Sequence, residues 1–406
     1  MKILFLNEYA PPHIVSGAER SMIALSKALS NLSKQTKIYT LSPNLNSTGP
    51  VPKDKFPFPK KLKPGQTLSP LWFNNPIFWF YAAYHVVKAV KKHHINLIHV
   101  HGKYIQPTAI IASWFTKIPV VTTVRDFKFL CPLSLCYTHQ QKNCSLNYYL
   151  RNEIPFYLNN YTNNKLAWPF LYLRLILSKP WQYILKWFLK QASQVIAISP
   201  QLKQIYLDSG IKNTISFYNL PPKKFPPIKP KYKIKGKQII VSVGKLSIGK
   251  GTDTLLKAMK LLEAKLPQAI LLIAGNKNIS LKTNFPPNSK YLGKLDHHHV
   301  FNLYRSADIF VILSRWPEPL SRAALEALTA GLPIVASNRG GNKEFVKNNG
   351  YLVNPDDPKQ VADTLYKILT NKKLENFSQN SLKLIATRFN RKKTIDQHIN
   401  LYKRLI

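Results

Sequence analysis

Acidic residues are scarce in this chain: 18 Asp and Glu stand against 59 Lys and Arg, a formal charge of +41 over 406 residues. That excess makes a long-range field that attracts polyanions. Nucleic acid, an anionic membrane face and phosphorylated substrates are the partner classes it admits. Cysteine is nearly absent. Cys131, Cys136 and Cys144 make an odd number, which excludes a fully paired disulfide framework and suits a reducing cytoplasm. Long apolar runs are missing too, with none near the ~18 residues of a spanning helix. The opening run Ile3–Leu6 is too short for a signal-peptide core. A soluble or peripheral protein is therefore expected.

What is present is enough apolar material for two cores, 45% of the residues, in a chain long enough for two domains. Short apolar runs alternate with helical patterns. Lys2–Leu6, Ile38–Leu41, Leu97–His101, Val120–Val124 and Val195–Ile198 read as strands, and 19–32 reads as a helix. A proline- and lysine-rich stretch, 219–237, interrupts the pattern and reads as a linker. The alternation then restarts. Ile239–Val243, Ala269–Ala274, Ile309–Leu313 and Ile334–Ala336 are expected strands; Thr252–Leu262, Val300–Ser306 and Ala323–Thr329 are expected helices. The fold class is α/β, with two Rossmann-like parallel-sheet domains facing a cleft. The expected division is 1–218, linker 219–237, second domain 238–385, and a C-terminal helix 386–406 returning toward the first domain.

Two segments of the second domain carry chemistry. In Ser314-Arg-Trp-Pro-Glu-Pro-Leu-Ser-Arg-Ala-Ala-Leu-Glu326, a strand leads into a loop with Glu318 and then a helix with Glu326. The free N–H groups of the helix's first turn lie between the two carboxylates and suit a phosphate. The carboxylates suit the hydroxyls of a polyhydroxylated ligand. In Val243-Gly-Lys-Leu-Ser-Ile-Gly-Lys-Gly251, a glycine turn carries Lys245 and Lys250, whose ammonium groups suit a diphosphate leaving group. The spacing is not that of a P-loop.

With these segments the chain resembles the retaining glycosyltransferases of family 4, which have the two-domain GT-B fold. Glu318 and Glu326 match the family's E-x7-E element, Gly244-Lys245 a Gly-Arg position, Lys250-Gly251 a Lys-Gly position, and Gly340-Gly341 with Glu344 a Gly-Gly-x-x-Glu turn. In the first half, Ser16-Gly17-Ala-Glu-Arg20 matches a Gly-Gly-x-Glu loop. His99-Val-His101 matches a strand-end histidine and Thr123-Val-Arg-Asp126 a Thr-x-His-Asp segment. Lys245 thus stands where the family has Arg, Ser16 and Ser321 where it has Gly, and Arg125 where it has His.

The resemblance implies roles. Glu318, with the backbone of Pro319, Leu320 and Ser321, would hold the donor sugar; Glu326 would hold the ribose. Lys245 and Lys250 would stabilise the leaving diphosphate, Gly17 and Gly244 would admit backbone close to the donor, and His101 would lie near the reacting carbon. Arg125 and Asp126 would face the acceptor. The implied reaction moves a sugar from a UDP- or GDP-linked donor to a glycan or lipid-linked acceptor with retention, in cell-surface polysaccharide or glycolipid synthesis. It needs no metal and no cofactor, the nucleotide-sugar being a substrate.

Several features lie outside that pattern. His297-His-His299 reads as a polar turn, since three successive residues do not share a helical face. Cys131, Cys136, His139 and Cys144 are zinc-type ligands at a spacing of no common finger. No zinc finger, RRM-type or recognition-helix motif accompanies the charge, so nucleic acid is not an expected partner. A nucleic-acid-binding protein and a non-catalytic sugar-nucleotide sensor are the two alternatives. The segments 71–92 and 166–190 mix aromatic and basic residues, as do helices lying in a lipid headgroup layer. In the second, Trp168, Phe170, Tyr172, Trp181, Tyr183, Trp187 and Phe188 alternate with Arg174, Lys179, Lys186 and Lys190. Core packing of both is the competing reading. An anionic membrane surface is the expected partner, at the cytoplasmic face of the cell membrane.

Overall fold

The computed structural model describes residues 1–9, 17–32, 36–43, 53–56, 69, 72–134, 145–162, 164–223, 231–277, 284–372 and 374–406. Ser16, Cys136, His139, Cys144 and residues 224–230 of the proline-rich stretch lie outside these residues. By its contacts the chain divides into two units. One comprises Met1–Ser134, Leu177–Leu220 and Arg391–Ile406; the other comprises Leu135–Ile176 and Pro221–Asn390. The division at Leu220 falls on the proline-rich stretch, whose Pro221 and Pro222 cannot donate to a ladder. The segment Leu135–Ile176 groups with the second unit, and the last helix, Arg391–Leu405, with the first.

The first unit is built on β1 (Lys2–Leu6), β2 (Lys37–Pro43), β3 (Lys53–Phe56), β4 (Leu97–Val100), β5 (Val120–Val124), β6 (Gln194–Ala197) and β7 (Thr214–Ser216). They form one sheet in the order β3-β2-β1-β4-β5-β6-β7, and every pairing is parallel. The strands β4 and β5 are buried from end to end and β1 from Ile3 to Leu6, as continuous apolar runs covered on both faces should be. Ile3, Phe5, Met22, Leu25, Leu29 and Ile38 share a core with Ile395, Leu401 and Tyr402 of the last helix.

The second unit repeats the design. Its strands are β8 (Gln238–Val243), β9 (Ala269–Ala274), β10 (Ser289–Tyr291), β11 (Ile309–Ile312), β12 (Ile334–Ser337) and β13 (Gly350–Val353), in the order β10-β9-β8-β11-β12-β13, again all parallel. Helix starts follow local capping chemistry. Asn75, Ser199, Asp296, Ser321 and Asp357 each accept an N–H from the first turn of the helix they precede.

Strand alternation located β1, β5 and β9 to the residue. It missed β3, β7, β10 and β13, three- and four-residue strands too short to show a period. One reading is corrected. His297-His-His299 is no turn: Asp296 caps it, accepting from His299 N at 2.9 Å, and the helix begins at His297.

In both units the strand order reverses beside the first strand, between β1 and β4 and between β8 and β11. At such a switch point the loops leave in opposite directions and open a crevice at the carboxyl ends of the strands. Gly244, Lys250 and Glu318 follow β8 and β11 there, and His101 follows β4.

Candidate active site

In the second unit, β8 runs out into Gly244-Lys245 and β11 into the loop that carries Glu318. Gly244 N donates to Ala274 O at 2.9 Å, and a Cβ on Gly275 would come within 1.7 Å of Gly244 O. Only glycine at 275 lets the next strand's exit cross this turn so closely. Lys245 is exposed. The turn after it is closed by Ser247, whose hydroxyl accepts from Lys250 N at 3.3 Å. Gly251 sits at φ +66°, where a Cβ would lie 2.3 Å from Leu313 O. These contacts press the Lys250 loop against the end of β11.

That placement joins Lys250 to Glu318. The ammonium donates to Glu318 Oε2, which also accepts from Trp316 Nε1 and from Ser314 Oγ at 3.1 Å. The same ammonium lies 4.5 Å from the centre of the Trp316 ring. Burial alone would raise the Glu318 carboxyl. The Lys250 charge and the three hydrogen bonds outweigh it and hold the group below the usual carboxylate range.

Two glycines set the path of the Glu318 loop. Gly341 N donates to Glu318 O at 2.6 Å, and a Cβ on Gly341 would stand 2.0 Å from Pro319 O. A Cβ on Gly340, at φ +62°, would stand 2.3 Å from Pro317 C. The Gly340-Gly341 turn therefore works as a flat bed under Pro317–Pro319. Leu320 and Ser321 are buried beyond it, and Ser321 caps the Arg322–Thr329 helix by accepting from Ala324 N at 3.3 Å.

Arg315, which no motif singled out, ties the two loops together. Its guanidinium donates to both carboxylate oxygens of Asp253 at 2.8 and 2.9 Å, to Ile248 O at 2.7 Å and to Asp356 at 2.6 Å. Arg339 completes the clamp, reaching Arg315 O at 2.8 Å and Asp356 at 2.6 Å.

Glu326 is not drawn into the Glu318 cluster. It is buried on its helix, where its Oε1 meets His297 Nε2 at 3.0 Å and Arg322 Nε at 3.2 Å. His297 is the second residue the motifs missed; its position at a helix start aims it at Glu326. Asp296, His298 and His299 bring possible ligand atoms within 4.8 Å of one another. The Asp296 carboxylate there caps the helix, and the positive end of the helix opposes a cation.

The first unit assembles a different set. His101 leaves β4 stacked against His99, with ring centres 4.1 Å apart, and Phe5 packs on both rings. His99 is held by Tyr402 Oη at 2.6 Å on one nitrogen and Thr123 Oγ1 at 2.7 Å on the other. Arg125 Nη2 lies 3.1 Å from His101 Nδ1. A guanidinium only donates, so Nδ1 accepts and the neutral ring carries its proton on Nε2. That nitrogen is buried with no hydrogen-bond partner among the described residues. Burial first, then nearby His99, Arg125 and His398, hold the imidazole well below the ordinary histidine range.

Asp126 is occupied structurally. It pairs with Lys103 at 2.8 Å, accepts from Lys128 N at 2.8 Å, and its carbonyl accepts from Tyr206 Oη at 2.8 Å. Gly17 is the first residue of the Gly17–Leu32 helix and is exposed. Glu8, at the exit of β1, is a further group not singled out. Its buried carboxylate accepts from Tyr104 N and from Ile105 N at 3.0 Å, and it fills the space a Cβ on Gly102 would need.

Two parallel α/β units with motif residues at their switch points define the GT-B class of fold. A family model described as Glycosyltransferase Family 4 matches residues 15–217, half of the chain, and one described as Glycosyl transferases group 1 matches residues 224–384. The chain belongs to this glycosyltransferase family. The Spore coat protein SA of Bacillus subtilis is 31% identical over 188 residues, covering 42% of this chain and 50% of that protein. The chain thus spans about half the length of the curated relatives it matches. Two solved structures share the fold over nearly their whole length. HepE of Anabaena, in complex with UDP and glucose, superposes with a TM-score of 0.66 at 19% identity, covering 100% of both chains. Sucrose-phosphate synthase of Thermosynechococcus elongatus does so with a TM-score of 0.68 at 17% identity, covering 100% of this chain and 98% of that one.

Proposed function

We propose that the chain transfers a sugar from a nucleoside-diphosphate sugar, UDP- or GDP-linked, to a glycan or lipid-linked acceptor, with retention and without a metal. The observation that carries the reading is the Lys250–Glu318 pair at the β8/β11 switch point. Glu318 is kept ionised in a buried site, so its oxygens accept hydroxyl hydrogen bonds from the donor sugar. Lys250 on the same spot, with Lys245 exposed on the same loop, meets the charge that grows on the diphosphate as the sugar–phosphate bond breaks. The acceptor oxygen bonds to the sugar carbon on the face the phosphate leaves, and the acceptor's proton passes to a phosphate oxygen. His101 offers its Nε2–H to a substrate oxygen; with Nδ1 occupied by Arg125 it acts as a donor and not as a base. We place the reaction in cell-surface polysaccharide or glycolipid synthesis, at the cytoplasmic face of the membrane. HepE, whose structure holds UDP and glucose, supports the donor class.

The reading is tested by heating the protein with UDP-, GDP- and ADP-sugars and following turnover of a radiolabelled donor. A donor present at 100 times its Kd adds about 2.7 kcal/mol to stability, an easily measured rise in Tm. Transfer should persist in EDTA, because lysines and backbone N–H groups neutralise the diphosphate. Loss on chelation that magnesium or manganese restores would overturn the metal-free mechanism. Absence of any nucleotide-dependent rise would overturn the donor site itself.

Glu326 is assigned to the ribose. Glu326→Ala should weaken donor binding by about 1–3 kcal/mol, because hydroxyls buried with the donor lose their acceptor. Calorimetry with the unreactive nucleoside diphosphate reads this directly. Unchanged affinity would show that the carboxylate serves its protein neighbours His297, Arg322 and Tyr304 instead.

A further inference from the structure

The first unit carries an exposed face of unusual composition. The Pro76–His93 helix buries Phe78, Trp79, Ala82, Ala83, Val86, Ala89 and Val90. Its opposite stripe, at three- and four-residue spacing, is not polar. It begins with Ile77, Phe80, Tyr81 and Tyr84 and ends with Lys88, Lys91 and Lys92, all exposed. Ile77 is 84%, Phe80 59% and Tyr84 65% accessible.

Two neighbouring elements extend this face. Trp79 packs edge-on against Trp181 and Phe188 at 5.5 Å each, and Trp114, on the Gln106–Thr116 helix, stacks on Phe188 at 6.1 Å. Trp181 and Phe188 therefore turn toward neighbouring rings, which corrects the reading that set them among the outward aromatics. The large apolar residues exposed in 177–190 are Leu177, Tyr183, Ile184 and Trp187. Trp187 adjoins Trp114, with ring centres 6.3 Å apart, and the next residue, Phe115, is 71% accessible.

Charge on these elements has one sign. No Asp or Glu occurs in 76–93, 106–116 or 177–190, whereas Lys88, Lys91, Lys92 and Lys190 there are exposed, Lys186 is half-buried and Lys179 is buried. Burial, and then the like charges of Lys190 and Lys179, hold the Lys186 ammonium below the ordinary lysine value. No helix among the described residues is long and apolar enough to cross a membrane. A large apolar patch bordered by cations fits a surface that is apolar inside and anionic outside.

We propose that the face built from Pro76–His93, Gln106–Thr116 and 177–190 docks on an anionic lipid bilayer, with the aromatic rings at headgroup depth and the lysines against the phosphates. Tyr and Trp suit that depth because one end of each ring system is apolar and the other hydrogen-bonds to water. The inference is independent of the donor site, since vesicle binding requires no sugar transfer.

The test is co-sedimentation of the full chain with vesicles of phosphatidylcholine alone and of phosphatidylcholine with one-third phosphatidylglycerol. Binding is expected only with the anionic vesicles. It should fall steeply at 1 M salt, where the Debye length is about 3 Å. Changing Lys88, Lys91 and Lys92 together to Gln should weaken binding by roughly fivefold per residue. A second variant, Phe80→Ser with Tyr84→Ser, Phe115→Ser and Trp187→Ser, should abolish it while keeping the native melting transition and the thermal shift with UDP. Equal binding to neutral vesicles, or binding unchanged in both variants, would overturn the proposal. So would a concentration-dependent dimer abolished by the serine substitutions, since a second copy would then cover the face.

Discussion

Replacing Lys250 with methionine lowers kcat by roughly two to three orders of magnitude and shifts donor Kd far less, the pattern expected when charge stabilisation is needed most at the transition state. Methionine keeps the length of the side chain and removes the charge. The structure adds a consequence for stability. In the native chain the ammonium is the chief reason that Glu318 is ionised despite burial. Without it a buried carboxylate keeps only Trp316 and Ser314 as donors. Breaking a buried pair from one side costs about 3–5 kcal/mol, and the two remaining donors place this case at the low end. Lys250→Met combined with Glu318→Gln should therefore recover stability without recovering kcat. The sign of the pH effect follows. The Glu318 carboxyl lies below its unfolded value, so the pair stabilises above about pH 4.3 and that contribution is lost as pH falls through the folded value. Denaturant melts of wild type and both variants across pH 3–7, alongside steady-state kinetics, check all three statements. A Lys250→Met enzyme with normal kcat would remove Lys250 from the chemistry.

Gly341→Ala is expected to be as damaging, for a steric reason. The added methyl would stand 2.0 Å from Pro319 O and 3.1 Å from Glu318 O, both backbone atoms that no rotamer change can move. The Glu318 loop must shift, and with it the carboxylate that pairs with Lys250. We expect about 3 kcal/mol or more of destabilisation, in the range reserved for core overpacking and backbone strain, together with loss of donor binding. Gly236→Ala is the control. Gly236 has positive φ, +72°, but nothing lies within 4 Å of its Cβ position. It should cost only the roughly 1–2 kcal/mol of a left-handed alanine and leave donor binding intact. Equal effects of the two substitutions on donor affinity would mean that the Gly340-Gly341 turn does not support the site.

Much of the site was readable because its parts are local. Ser314, Glu318, Ser321 and Glu326 fall in one strand–loop–helix segment, and Gly244, Lys245, Lys250 and Gly251 in another. Strand ends and helix starts are set by neighbours a few residues away, so spacing alone placed these residues at the mouths of their loops. Arg315 sits inside the first segment, yet its role was invisible. Its partners Asp253 and Asp356 are 62 and 41 residues distant. His297 likewise reaches Glu326 across 29 residues, and Tyr402 reaches His99 across 303. The aromatic helices show the same limit from the other side. Their composition was plain, but Trp181 and Trp187, six residues apart, differ in what they face, since Trp79 stands beside one and the surface beside the other.

By itself, then, the sequence determined the two α/β units, the positions of the glycine turns and the carboxylate and lysine types that chemistry at a strand exit requires, because alternation, capping and turn geometry act over a few residues. Only the tertiary structure decided that Lys250 and Glu318 pair, that Arg315 clamps their loops, that Gly340 and Gly341 underlie Pro317–Pro319, and which rings face outward. Those outcomes depend on strand order, and strand order brings together residues whose separation in the chain carries no periodic mark.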